Sequence, residues 1–168
     1  MGPRDSMLTL KLSSEDHSIS GVWAGQDNRW VAGTQTTPTG STLQLVRRCR
    51  LGVSSCDIVS DVGVKDWADV SGLPDGRVFL AARDGSVVHY DGFVAIERKT
   101  PAGLLNRIHA RTETDVWAVG ESGHVVHWDG TQWRDVPHPA GHGLVDVASA
   151  EGATWILGTE NRLLRRAQ

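Results

Sequence analysis

The stretch DVWAVGESGHVVHWDGTQW, residues 115–133, decides the fold, because most of it occurs a second time in the chain. RVFLAARDGSVVHYDGF, residues 77–93, repeats its apolar, glycine and histidine positions at a constant offset of 38 residues. TWILGTENRLLRR, residues 154–166, continues the spacing, and RWVAG, residues 29–33, has the same shape. Self-similarity at a period of about 40 residues is typical of repeat architectures. The sequence therefore predicts four copies of one structural unit.

Each copy divides into four apolar segments of strand length, separated by turn residues such as the pair Asp129-Gly130. Asp-Gly pairs favour the tight turns that join antiparallel strands. Four short antiparallel strands in about 40 residues are typical of a β-propeller blade. The repeat also predicts an inner strand in AGLLNRIHAR, residues 102–111, although its leucine and isoleucine spacing alone would fit an amphipathic helix.

The predicted fold is all-β, a single β-propeller domain over residues 1–168 with four blades of four antiparallel strands. The blades are expected at about residues 17–64 (with a long insertion at 34–56), 65–103, 104–141 and 142–168. The last copy lacks a fourth strand, and MLTLKL, residues 7–12, alternates as a strand does and would supply it, closing the ring. The same pairing fits half of a larger ring built from two chains, so both a monomer and a homodimer agree with the sequence.

The quoted stretch resembles the repeat of large bacterial β-propeller proteins, in which VWAVG, G-x-V-x-H-W-D-G and a final W recur in tandem. It is similar, more remotely, to the blades of Kelch and BNR-type propellers. The resemblance implies a propeller fold. It implies little about activity, since such blades serve in lectins, scaffolds and enzymes alike.

The composition limits the classes of partner and compartment. A net charge of −3 and a pI of about 6.1 argue against binding to nucleic acid. No apolar run approaches the roughly 20 residues of a membrane span, so membrane insertion is not expected. The first residues lack the features of a signal peptide. We therefore expect a cytoplasmic protein as given, or a secreted one if a signal peptide has been removed.

Cys49 and Cys56 are the two cysteines of the chain. A hairpin around Gly52 would place their sulfur atoms within bonding reach, which makes them a disulfide candidate. In a reducing compartment they would be two free thiols.

Several conspicuous side chains occupy the same position in different copies. His89 and His127 share one position, and Trp30, Trp117 and Trp155 share another, with Phe79 in the second copy. Catalysis needs one asymmetric constellation of groups, so repetition favours packing. We interpret the aromatic position as a buried layer between neighbouring blades.

A first set of residues that breaks the repeat lies on the predicted inner strands, which line the central channel of a propeller. Asp69, Arg107, His109 and Asp146 are expected to converge there. They suit an ion-pair network, a channel-bound cation or, if the protein is an enzyme, the catalytic residues of a hydrolase or lyase. No other cofactor is predicted.

A second set is expected on one rim as ligand-binding candidates. It comprises Glu121, His124, His138, His142 and Arg83, the last being the counterpart of Glu121 in the preceding copy. The three histidines are also candidate metal ligands, although their spacing matches no recognised zinc pattern.

No recognised catalytic motif is present in the sequence. We therefore predict a non-catalytic module that binds a protein or another ligand through its rim loops and channel mouth. The alternatives are a glycan-binding lectin and a hydrolase or lyase with its active site at the channel.

Overall fold

The structure is a computed structural model that describes residues 17–50, 52–53, 55–101, 103–138, 141–150 and 152–167. These residues form β-strands joined by turns and by two single-turn 3₁₀ segments, Ser60–Val62 and Glu121–Gly123. Within this range no helix is long and apolar enough to cross a bilayer. The chain is therefore all-β over the part that the structure describes.

The strands form four antiparallel sheets, and within each sheet every strand pairs with its neighbour in sequence. The first sheet contains β1 (His17–Ala24), β2 (Asn28–Thr36), β3 (Thr42–Arg50) and β4 (Cys56–Ile58). The second contains β5 (Trp67–Gly72), β6 (Val78–Ala82), β7 (Ser86–Tyr90) and β8 (Ala95–Lys99). The third contains β9 (Leu105–Thr112), β10 (Asp115–Gly120), β11 (Val125–Trp128) and β12 (Trp133–Asp135). The fourth contains β13 (Leu144–Ala150), β14 (Ala153–Gly158) and β15 (Arg162–Ala167).

Two local predictions can be compared with these elements. The helix-like segment at 102–111 contains β9, so the strand prediction is confirmed over the residues described there. The insertion in the first copy belongs to a long hairpin. Strands β2 and β3 pair along their whole length, from Thr36 opposite Thr42 near the turn to Asn28 opposite Arg50 at the other end. Residues 7–12, the predicted closing strand, lie outside the described residues.

The core consists of three apolar clusters, each shared between two successive sheets. Trp30, Phe79 and Trp117, from the repeated aromatic position, are buried in these clusters or beside them. The His89 ring stacks on Phe79 with centroids 4.4 Å apart, and the His127 ring stacks on Trp117 at 4.3 Å. Both histidines therefore have packing roles, as their repetition predicts.

The sheets follow one another in chain order, with β1 packed on β5, β5 on β9 and β9 on β13. In the described part of the chain, the first and fourth sheets share no packing of comparable extent. Trp155 is correspondingly 42% exposed, so its predicted place in a buried aromatic layer is wrong for this fourth copy. Its position in the repeat is as expected, but no fifth sheet covers it among the described residues.

Cys49 and Cys56 face each other across β3 and β4. Their sulfur atoms are joined in a disulfide, with the two Cα atoms 4.1 Å apart. The bond lies on the outer strands of the first sheet, two strands away from β1.

The VWAVG motif ends at Gly120, and the close approach of the neighbouring strand explains why this residue is a glycine. The ladder between β9 and β10 shifts register here, which brings Gly120 opposite Leu105. A Cβ atom on Gly120 would overlap the carbonyl oxygen of Leu104, which also accepts a hydrogen bond from the Glu121 amide (3.0 Å). Only glycine lets the two backbones approach this closely.

Gly120→Ala should therefore lower the free energy of unfolding by about 1–3 kcal/mol, because the strands must separate to admit the methyl group. Urea unfolding followed by tryptophan fluorescence measures this difference. Gly141→Ala is the matched control, since a Cβ atom there meets nothing within 4 Å. Equal stability of the two variants would contradict the steric explanation.

Candidate functional site

The innermost strands of the four sheets, β1, β5, β9 and β13, line one open cavity of about 500 Å³, here called the channel cavity. The predicted channel residues Asp69, Arg107, His109 and Asp146 all lie on its wall. They come together because each occupies nearly the same register on its inner strand. The structure thus places side chains of both charge signs around one solvent-filled space.

Asp69 is the half-buried carboxyl of this cavity. Its Oδ2 accepts a hydrogen bond from the backbone amide of Ile108 (3.1 Å). Burial raises the pKa of Asp69 to about 6, although bonds from the Ile108 and Val70 amides and the nearby Arg107 charge oppose the shift. The negative charge of Asp146 raises the pKa further. Asp69 therefore titrates close to neutral pH.

Arg107 supplies the positive charge of the channel cavity. Its Nη1 donates to the carbonyl oxygen of Asn106 (2.9 Å). Among the ion pairs within 4.0 Å in the described ranges, none joins Arg107 to Asp69 or Asp146. The guanidinium is half-buried and acts on the Asp69 carboxyl group through space rather than through a contact pair.

Polar side chains of the inner strands also bridge neighbouring sheets. His109 Nε2 donates to the carbonyl oxygen of Ser149 on β13 (2.9 Å). Ser71 Oγ, on β5, accepts from the Ala110 amide on β9 (2.9 Å), beside the bond from Ile108 to Asp69. Adjacent inner strands belong to different sheets and lack a shared ladder, so side chains satisfy backbone groups there. His109 and Asp69 therefore both hold the scaffold.

Asn106 contacts two residues of the predicted rim set, Arg83 and Glu121. Asn106 itself was not among the residues predicted from the sequence. Its Oδ1 accepts from Arg83 Nη1 (3.2 Å), and its Nδ2 donates to Leu144 O (2.9 Å) and to Glu121 Oε1 (3.4 Å). One amide thus links the second, third and fourth sheets. The available signal was its place in the repeat, where Ala68 stands in the second copy.

The three rim histidines are held separately. His138 Nε2 donates to the carbonyl oxygen of Gly123, and His142 Nδ1 lies 3.6 Å from a Glu160 carboxylate oxygen. His124 forms a backbone bond to Glu121 (3.1 Å). Over the residues that the structure describes, no group of three or more potential ligands is arranged to hold a metal ion. The predicted metal set of His124, His138 and His142 is therefore not assembled.

Two of the tryptophans that could stack on a glycan are buried. Trp67 and Trp128 are buried, and the Trp128 ring contacts both Trp133 (centroids 5.8 Å apart) and the Arg98 guanidinium (4.8 Å from the ring centroid). Trp23 is half-exposed and lines a second open cavity of about 430 Å³. The repeated tryptophans thus provide no repeated sugar-binding platform.

Comparison with known proteins shows the fold. The sequence matches no protein-family model and no curated protein. Among solved structures it is similar to YCF48 from Cyanidioschyzon merolae, with a TM-score of 0.66 and 14% identity over 88% of this chain and 50% of that one. It is also similar to a catalytically inactive virginiamycin B lyase from Staphylococcus aureus with quinupristin, with a TM-score of 0.68 and 14% identity. That match covers 95% of this chain and 58% of the lyase.

Both of these proteins are β-propeller-like, and a propeller-like fold agrees with the four sheets described above. The chain spans only about half of their length. The computationally designed Ika4 protein is similar over 96% of this chain and 99% of its own length, with a TM-score of 0.63 and 10% identity.

The raised pKa of Asp69 predicts how stability depends on pH. The folded protein retains the proton between the ordinary value of 3.8 and about 6, so stability falls as the pH rises through this interval. Asp69→Asn keeps an oxygen that accepts the Ile108 bond but removes the titration. We expect the variant to gain about 2 kcal/mol over the wild type between pH 4 and pH 7, measured by urea unfolding.

Asp135→Asn, at an exposed carboxylate on β12, is the control for the loss of one charge. It should keep the wild-type pH profile. Parallel pH profiles for the wild type and Asp69→Asn would show that Asp69 does not titrate in this interval.

Proposed function

We propose that this chain is a non-catalytic binding module of the β-propeller class that holds a peptide segment of a partner protein at the channel mouth. One observation carries the proposal: four inner strands surround an open cavity of about 500 Å³ whose wall bears side chains of both charge signs. Ligand sites usually have volumes of about 300–1,000 Å³ with a few convergent polar groups. A peptide offers backbone donors, backbone acceptors and charged side chains to such a wall.

In this proposal the four sheets are four propeller blades, with the bounds expected from the sequence. Blades built on a fixed framework leave their connecting loops free to vary, which suits recognition. The strand predicted at residues 7–12 would complete a last blade beside β15, and it stays a prediction.

The bonding of the channel residues favours binding over catalysis. His109 donates to a backbone carbonyl, and Asp69 accepts from a backbone amide. A general acid or base must reach the proton that it transfers, and these two groups are already engaged in holding neighbouring sheets. A hydrolase or lyase, the enzymatic alternative, would need one of them to be released. Arg107 and the exposed Asp146 bond to backbone groups of their own strands, Asn106 O and the Val147 amide, rather than across a boundary between sheets, so their other polar atoms are available to a ligand.

The rim supports a peptide more than a glycan. Arg83 and Glu121 are exposed and both bond to Asn106, which precedes the channel residue Arg107 in the chain, so they present charges of opposite sign on the rim. The burial of Trp67 and Trp128 removes two of the rings that a lectin would stack on sugars. A structure of YCF48 bound to D1 peptide is similar to this chain, with a TM-score of 0.61 and 15% identity over 84% of this chain and 61% of that one. This is support by fold analogy.

The test is selection of peptides from a random display library on the immobilised chain, followed by anisotropy titration of the enriched peptides. Arg107→Gln removes the positive charge of the Arg107 side chain from the channel wall. It should weaken peptide binding at least about tenfold, or about 1.4 kcal/mol. Arg134→Gln is the matched control, because Arg134 lies on β12 and pairs with Asp129 (2.8 Å), away from the channel cavity. It should change affinity less than about twofold.

Enriched peptides that bind Arg107→Gln as tightly as the wild type would place the site elsewhere. Failure to enrich any peptide, together with specific signals on a glycan array, would replace the proposal with the lectin alternative.

A further inference from the structure

The first and the last sheet each expose an apolar surface. The counterparts of these surfaces in the other sheets are buried at the internal junctions. The leading face consists of Ile19 and Val22 on β1. The trailing face consists of Trp155 and Leu157 on β14 and Leu163 on β15. Each face is identified by comparing its residues with their counterparts in the neighbouring sheets.

Strand register identifies the counterparts of the leading face. Ile19 on β1 pairs with a glycine, Gly33, on β2. Its counterparts in the third and fourth sheets are Leu105 and Leu144, which pair with Gly120 and Gly158 in the same way. Leu105 and Leu144 are fully buried, whereas Ile19 is 55% exposed.

Val22 shows the same contrast. Its counterparts Val70, Ile108 and Val147 are all buried against the preceding sheet, in the three core clusters. Val22 is 65% exposed. The leading face therefore has the composition of a junction, and no sheet of the described residues precedes it.

The trailing face is the other half of such a junction. Its counterparts in the third sheet are Trp117, Val119 and Val125, which are buried against Leu144, Val147 and Ile156 of the fourth sheet. In the fourth sheet, Trp155, Leu157 and Leu163 are 42%, 43% and 63% exposed. Exposed apolar patches of this kind mark interaction surfaces.

We propose that a second copy of this chain covers both faces. The trailing face of each copy packs on the leading face of the other, which closes a two-chain ring with two identical new junctions. The occupant follows from complementarity, since every internal junction joins a trailing-type surface to a leading-type surface. A second copy provides both surfaces at once and leaves the three packed junctions unchanged.

Two of the similar structures extend well beyond the part that this chain matches, whereas the designed Ika4 protein is matched over 99% of its length. This chain matches 50% of YCF48 from Cyanidioschyzon merolae and 58% of the lyase, so further chain accompanies the matching part in each. The two-chain ring would also bring a second Asp69, Arg107, His109 and Asp146 to the same channel. This inference goes beyond the proposed peptide binding and does not depend on it.

The first measurement is the mass of the 168-residue chain in solution, by sedimentation or light scattering over a range of concentrations. We expect about twice the chain mass of 18.2 kDa. Val22→Asp and Leu163→Asp each place a charge on one face and should each give single chains, with circular dichroism unchanged. Phe93→Asp is the matched control, because Phe93 is 90% exposed on the turn between β7 and β8. It should keep the two-chain mass.

Mixing the two single-chain variants provides the sharper test. In a mixed pair one junction carries both substitutions, but the other joins the native trailing face of Val22→Asp to the native leading face of Leu163→Asp. Two-chain particles should therefore reappear on mixing. A single-chain mass for the wild type, a mass that grows beyond two chains, or no recovery on mixing two folded variants would each overturn the proposal. If Val22→Asp fails to fold, Leu163→Asp with the Phe93→Asp control still decides the mass.

Discussion

The structure depends on one contact that is repeated between sheets, in which the trailing face of one sheet packs on the inner strand of the next. Trp30, Phe79 and Trp117 occupy the trailing side of the three internal junctions, and Val70, Ile108 and Val147 occupy the leading side. Neither surface of a small sheet can be left in water without losing the hydrophobic free energy of burial. Each internal junction therefore buries apolar surface from two sheets, and the corresponding apolar surface is exposed at both ends of the described series.

The channel is governed by a second constraint, which is polar. Inner strands of adjacent sheets approach one another without a ladder, so their backbone groups need other partners. Asp69, Ser71 and His109 supply these partners across two of the boundaries between sheets. These side chains line the cavity and also bridge neighbouring sheets. Arg107 and Asp146 line the same cavity but bond to backbone groups of their own strands.

Much of the fold could be predicted from the repeat, and much less of the site. β9 was predicted as a strand because its counterparts are strands, and the four channel residues converge because they share a register. The contacts of Asn106 depend on the rotation between sheets, which the repeat does not encode. The loop histidines follow no repeat, and over the described ranges their proximity in sequence does not assemble a metal site. The exposure of Trp155 could not be foreseen either, because a repeat defines a position without stating what covers it.

The position of the disulfide determines what oxidation and reduction would change. The bond joins β3 to β4 on the outer side of the first sheet, while the channel wall belongs to β1. It spans a sequence separation of only 7 residues, and such a small loop constrains the unfolded chain less than a long one does. Reduction would therefore loosen the attachment of one short outer strand and leave the channel lining intact. The redox state of the two cysteines therefore acts on the periphery of the first sheet, at a distance of two strands from the channel wall.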